Sequence, residues 1–375
     1  MFCLLNILHL RQKYYWQAGL QDVIPFLINY ILSIFRRSFL TAQTIDKPIQ
    51  GLNPLSELST LLQSELAQVE VEIASQMVSS VGLIPDVAHH LVDAGGKRLR
   101  PLLCLAAAKI CGQVKNPAIK LAAAVEFIHS ATLLHDDVVD ASNLRRGLKT
   151  ANLIWGDKAS VLVGDFLFAR AFNMMVATES MRILDILAAT SSIIAEGEVL
   201  QLASTNRGDA NRETYFKVIG AKTAALFSAA TECGAIATNA DEKLISAFKT
   251  YGFELGLAFQ LSDDALDYGG KTMELGKKVG DDFREGKPTL PMIIAIERAN
   301  NNEHDFWQKV LSHKHSDEDL KAAITILRNC NAIEETLKEA RLCAQRAKNA
   351  LEILEPSEIK DCLFALADMV VDRVN

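Results

Sequence analysis

LAAAVEFIHSATLLHDDVVD, residues Leu121–Asp140, decides the reading of this chain. From Leu121 to Leu134 it is apolar on nearly every side, and such a helix belongs in the middle of a bundle rather than on its surface. It then ends in Asp136, Asp137 and Asp140. Bare carboxylates on the inner face of an apolar helix are costly unless a cation meets them. At 3.6 residues per turn, positions 136 and 140 lie about 40° apart and 137 about 100° from 136, so all three are expected to converge on one side. Later in the chain AFQLSDDALDY, residues Ala258–Tyr268, repeats the device with Asp263, Asp264 and Asp267. The rest is organised around these two clusters.

Helical periodicity extends outward from them in both directions, from Asn53 onward. Apolar residues at three- and four-residue spacing predict a helix over 55–80 and long ones over about 101–112, 117–140, 159–178, 181–204, 213–237 and 241–268. Shorter helices are expected near 288–299, 304–312, 317–329, 333–354 and 357–373, with loops at 300–303 and 313–319. Alternating β-branched runs and Asn-Gly hairpin turns are almost absent. The expected fold is all-α: a large antiparallel helix bundle around a central cavity, formed by one domain over residues 51–375. With 49% hydrophobic residues among 375, the chain can bury the core that this requires.

A net charge of -7 argues against nucleic acid as a partner, since a phosphate-binding surface needs a basic field. The seven cysteines form no C-x-x-C pair and lie mostly in apolar helical patterns, which reads as buried reduced thiols and suggests no zinc site. Residues 1–50 stand apart. Their apolar run VIPFLINYILSIF, Val23–Phe35, is shorter than the roughly 20 residues of a membrane span and is followed by Arg36 and Arg37. An interfacial helix, an organelle leader and a start codon upstream of the true one all fit. A leader would place the protein in mitochondria; otherwise a cytoplasmic protein, with or without membrane association, is expected.

Several motifs supply cations to the acidic clusters. AGGKRLRP, Ala94–Pro101, breaks a helix at Gly95 and Gly96 and opens the next one, with Pro101 as its expected first residue. Lys97, Arg98 and Arg100 thus gather at a helix N-terminus, where free backbone amides favour anions, and a diphosphate pocket competes there with an ordinary basic loop. His129 lies seven residues before Asp136 and so on the same face, as a ligand contact or a satisfied core histidine. Arg145 and Arg146, in a turn, project in different directions and suit two separate phosphate groups. Lys222 and Thr223, and Glu196-Gly197-Glu198 with Gln201, are weak signals singly. After the second cluster the loop LGKKVGDDFREGKPTLP brings Lys277, Lys278, Asp281, Asp282 and Lys287 among glycines, a candidate lid. Paired carboxylate clusters holding Mg²⁺, with a second basic pocket and an apolar cavity, suit the removal of a diphosphate from carbon and its condensation with a second diphosphate substrate.

In these motifs the chain resembles the trans-prenyl diphosphate synthases, and among them the long-chain octaprenyl, solanesyl and decaprenyl enzymes. GGKRLRP, LLHDDVVD, RRG, KTA, FQLSDDALD and GKKVGDD..EGKPTLP occur in order, over roughly residues 53–375. The resemblance implies the isoprenoid synthase type of fold, and Mg²⁺, three ions with diphosphate bound, held by Asp136, Asp137, Asp140, Asp263, Asp264 and Asp267, with Asp263 the principal ligand of its group. It assigns Arg145, Lys222 and Lys278 to the allylic diphosphate (farnesyl or geranylgeranyl), and Lys97, Arg100, His129 and Arg146 to isopentenyl diphosphate. Thr223 and Gln260 fall near the reacting centre. Ala131 and Thr132 take the positions that set chain length, where a small Ala favours a long product, decaprenyl first, for a quinone side chain. A homodimer and peripheral membrane contact are also implied. A class I terpene cyclase and a non-catalytic subunit of a heteromeric synthase are the competing classes.

Overall fold

In the computed structural model of the chain the described residues are 53–372, apart from 94, 209, 270–279 and 313–315. The expectations for residues 1–50 and for Lys277 and Lys278 fall outside them. Asn53 caps α1 (Pro54–Leu61), its side chain accepting from the Leu55 amide at 3.0 Å. Leu62 separates α1 from α2 (Gln63–Gln76), so the single helix expected over 55–80 is two. No periodicity signals α3 (Leu83–Asp93), because Pro85 reads as a breaker; it falls in the first turn, where no intrahelical amide bond is lost. The next helix, α4 (Leu99–Cys111), begins two residues ahead of the expected Pro101, with Arg98 at its N-cap in a left-handed conformation.

The opening stretch lies in α5 (Asn116–Val139), for which Asp140 is the C-cap. A two-residue hairpin follows, with β1 (Leu144–Arg145) antiparallel to β2 (Leu148–Lys149). Its turn residues Arg146 and Gly147 both have positive φ, 54° and 79°, as a tight hairpin demands. The chain continues through α6 (Ala151–Trp155), α7 (Asp157–Val176), α8 (Met181–Arg207) and α9 (Arg212–Ile219). Residues Gly220–Ala224 then form a π-helical turn before α10 (Ala225–Ile236), where the sequence predicts one unbroken helix. After α11 (Glu242–Gly269) come the short α12 (Asp281–Arg284) and α13 (Leu290–Glu297). The bundle closes with α14 (Asn301–Leu311), α15 (Asp317–Asn329), α16 (Ala332–Ala350) and α17 (Glu358–Asp372). Residues 300–303, expected as a loop, are a capping box that starts α14. Beyond the hairpin the described residues contain no strand, and the fold is all-α.

Packing follows from the apolar pattern. Residues 121–128 of α5 are all buried, and the helix is enclosed by α2, α4, α7 and α10. On the other side α11 packs against α10 and α16. Two glycines allow close approaches to residues 220–224. A Cβ on Gly256 would stand 2.6 Å from Ala224 Cα, and one on Gly197 would stand 2.6 Å from Ala221 Cβ. The π-helical turn is therefore wedged between α8 and α11, and it carries Lys222 and Thr223.

Candidate active site

The two acidic clusters sit at the C-terminal ends of α5 and α11. Each divides its three carboxylates among different partners. Asp136 faces Lys222, whose Nζ lies 3.6 Å from Asp136 Oδ2, 2.8 Å from Glu198 Oε2 and 3.2 Å from Gln201 Oε1. Burial pushes the Asp136 carboxyl above its ordinary range, and Glu198 and Asp140 add repulsion against the pull of Lys222. Asp140 accepts from Lys287 at 2.8 Å, a contact that joins the first cluster to the chain following the second. Asp137 is different. Its carboxylate is buried, and one oxygen takes both Nε and Nη2 of Arg145 at 2.9 and 2.7 Å. The convergence expected of all three is replaced by a split. Asp136 and Asp140 meet the lysines, while Asp137 anchors the hairpin through Arg145.

The second cluster shows the same division of labour. Asp263 is half-buried. Asp264 is enclosed, accepting from the Tyr215 hydroxyl at 2.6 Å and from Gln260 Nε2 at 2.7 Å. Asp267 accepts from the backbone amides of Asp281 and Asp282, both at 3.1 Å, and so caps α12. Burial raises the carboxyls of Asp264 and Asp282 above their ordinary range, and the neighbouring aspartates raise them further. Thr223 donates to Gln260 Oε1 at 2.8 Å. Lys222, Thr223, Gln260, Asp264, Tyr215 and Lys287 line a cavity of about 120 Å³.

These carboxylates suit a divalent cation. They are crowded, neighbouring acids add to the raised proton affinity of Asp136, Asp264 and Asp282, and Glu198 Oε1 is buried without a hydrogen-bond partner. Among the described residues no three acidic, histidine or cysteine side chains enclose a metal by themselves. Mg²⁺ usually takes one or two carboxylates and completes its shell with water and phosphate oxygens.

A separate basic pocket lies two turns earlier on α5. The left-handed Arg98 is an internal strut, bonded through Nε to Glu70 at 2.7 Å and through Nη1 to Glu126 at 2.8 Å. It fixes the start of α4, which presents Arg100. The Arg100 guanidinium lies 4.5 Å over the Phe227 ring, and its Nε is buried with no acceptor. Burial lowers its pKa to about 10, and Arg146 adds to that. A Cβ on Gly96 would stand 3.1 Å from Arg146 Nη1, so this glycine admits the second guanidinium. Burial, then Arg100 and Arg146, push His129 well below its ordinary range and keep it neutral. Arginines crowded around a buried donor suit an anion. Lys97 is exposed, Ala131 is fully enclosed in the apolar core, and Thr132 donates to the His129 carbonyl at 2.8 Å. Lys278 lies outside the described residues. Tyr215 and Glu126 have no role in the sequence reading.

A helical bundle with two facing aspartate clusters and a separate anion pocket defines a class, and the comparisons agree with it. Residues 81–327 match the family model described as polyprenyl synthetase. The chain belongs to that family, and it is a trans-prenyltransferase of the polyprenyl diphosphate synthase type. It is 41% identical over 324 residues to the octaprenyl diphosphate synthase of Haemophilus influenzae, spanning 86% of this chain and 98% of that one. Among solved structures, it superposes with a TM-score of 0.83 on a polyprenyl synthase from Caulobacter crescentus CB15 complexed with calcium and isoprenyl diphosphate. That match has 48% identity over 87% of this chain and 100% of the other. A decaprenyl diphosphate synthase from Rhodobacter capsulatus gives a TM-score of 0.82 at 48% identity, covering 86% of this chain and 99% of that chain.

Proposed function

We propose that this prenyltransferase adds several isopentenyl diphosphates in trans to an allylic diphosphate, farnesyl or geranylgeranyl, to make a polyprenyl diphosphate of quinone side-chain length. One observation carries the reading. The pocket at His129 and the carboxylate of Asp136 share one stripe of α5, seven residues and so about 10 Å apart along the axis. Two diphosphate groups bound there hold their carbon chains within reach of each other, and orientation of this kind supplies much of the acceleration of a bimolecular step.

In this reading Arg100, Arg146, His129 and Lys97 hold isopentenyl diphosphate. Lys222, with Arg145 and Lys278, holds the allylic diphosphate. Asp136, Asp140 and Asp263 face Mg²⁺, for which three ions are expected. Asp137, Asp264 and Asp267 support them from behind, through Arg145, Gln260 and α12. The metal, when bound, neutralises charge on the departing diphosphate. The apolar core around α5 keeps water from the allylic cation. The attacking double bond becomes the new allylic chain after loss of a proton, for which the released diphosphate is the nearest base.

Decaprenyl is the proposed product; the relatives named above make octaprenyl and decaprenyl chains, and the enclosed Ala131 leaves the deeper floor to decide. Two copies are proposed to associate, supported by α7. Its exposed Val161, Leu162, Phe172 and Val176 lie within about 100° of one another around the helix. Only 44% of the most apolar window of α7 is buried. Peripheral membrane contact at the cytoplasmic face, where the lipid product leaves, completes the reading.

The test is incubation of the purified protein with Mg²⁺, farnesyl diphosphate and labelled isopentenyl diphosphate. Incorporation into a long chain, sized by chromatography, is expected. A cyclic hydrocarbon formed without isopentenyl diphosphate indicates a cyclase. No incorporation without a second protein indicates a subunit.

A further inference from the structure

Four residues from three elements form one continuous polar chain on the cavity wall. Tyr215 on α9 donates to Asp264 Oδ2, Gln260 on α11 donates to Asp264 Oδ1, and Thr223 on the π-helical turn donates to Gln260 Oε1. Both oxygens of Asp264 are thus committed to protein donors. The side chain of Asp264 is 2% exposed, and Tyr215, at 6%, packs edge-on against Phe216 with ring centroids 5.3 Å apart.

These hydrogen bonds fix the Gln260 amide: its NH₂ group turns to Asp264, and its carbonyl oxygen accepts from Thr223, beside Lys222. A carbonyl oxygen on the cavity wall is the negative end of a dipole, placed where positive charge develops on carbon during ionisation. The opposite amide orientation would present hydrogens there instead. Gln260 supplies one of these two bonds to the Asp264 carboxylate, and the bond from outside α11 comes from Tyr215.

We propose that Tyr215 is a positioning residue, which through Asp264 locks the Gln260 amide with its carbonyl toward the reacting carbon. The role rests on the condensation reading above. It makes Asp264 an anchor of the wall, distinct in task from Asp263. Loss of such an outer partner characteristically costs about ten- to a hundredfold in activity.

The experiment is Tyr215→Phe in the full chain, which removes one oxygen and keeps the ring. Turnover is followed with farnesyl diphosphate and labelled isopentenyl diphosphate. Expected is a fall in kcat of about tenfold or more, with KM for isopentenyl diphosphate and half-saturation by Mg²⁺ within twofold of the unmutated chain. The second arm is a double-mutant cycle with Gln260→Leu, measured in single turnovers. If Tyr215 acts through Gln260, adding Tyr215→Phe to Gln260→Leu costs little more. Unchanged kcat in Tyr215→Phe overturns the proposal. So do losses that multiply independently in the double variant, or a loss confined to melting temperature or to Mg²⁺ affinity. An unmutated chain that elongates nothing overturns the condensation reading and this role together, whereas normal elongation by both proteins overturns this role alone.

Discussion

His129 is a histidine held among arginines, and its proton affinity records that. In the unfolded chain it titrates near pH 6.5; in the fold, burial first and then Arg100, Arg146, Arg145 and Arg98 lower it well below that. Below about pH 6.5 the unfolded state therefore binds more protons than the folded one. Stability falls as pH drops through this value, by at most about 1.4 kcal/mol per pH unit. Thermal unfolding followed from pH 7 to pH 5 is expected to be steeper for the unmutated chain than for His129→Gln. Equal slopes would mean that His129 is protonated in the fold. At this scale the sequence singles out residues and leaves their pairings open. Spacing on a helix puts Asp136, Asp137 and Asp140 near one another, but Arg145 from the hairpin and Lys287 from beyond the second cluster choose between them. Those partners are remote in sequence, so no local pattern shows which carboxylate each takes. Tyr215 escapes notice for the same reason, since its meaning comes from Asp264.

The π-helical turn at Gly220–Ala224 is the element on which the site depends most. One residue more than an α-helical turn accommodates is inserted there, and Lys222 and Thr223 consequently reach Glu198 on one side and Gln260 on the other. Gly197 makes room for the widened turn. Gly197→Ala would force its new methyl to 2.6 Å from Ala221 Cβ, and overpacking of this kind costs about 1–3 kcal/mol. The expected outcome is a melting temperature lowered by a few degrees and a lower kcat, with Gly82→Ala, whose Cβ meets nothing within 4 Å, as the silent control. A Gly197→Ala enzyme with full turnover would show that the turn tolerates displacement. Most helices are legible from apolar spacing, because burial of one stripe imposes the period. The π-helical turn is not, since its cause is the contact with α8 and α11 rather than any residue preference of GAKTA. The hairpin after α5 is equally silent: two-residue strands are too short to show alternation.

For the whole molecule, the apolar stripe on α7 is the feature that the isolated chain leaves unexplained. If two copies bury it, Leu162→Asp places a charge in the interface and is expected to yield monomers in sedimentation velocity, with far-ultraviolet circular dichroism unchanged. A dimer that persists would assign the stripe to another partner. The all-α architecture is legible because α5 is apolar on every side and so needs neighbours all round it. The number of copies is not, because one chain does not show what covers α7. The direction of the helices has a final consequence. α5 and α11 both end at their aspartate clusters, whereas α4 begins beside Arg100. The peptide dipoles therefore point their negative ends at the place for cations and a positive end at the place for an anion. A graded potential is built along the cavity before any ligand arrives. Charge that separates when carbon parts from diphosphate does so in a field that the backbone has already set, with no solvent left to reorient.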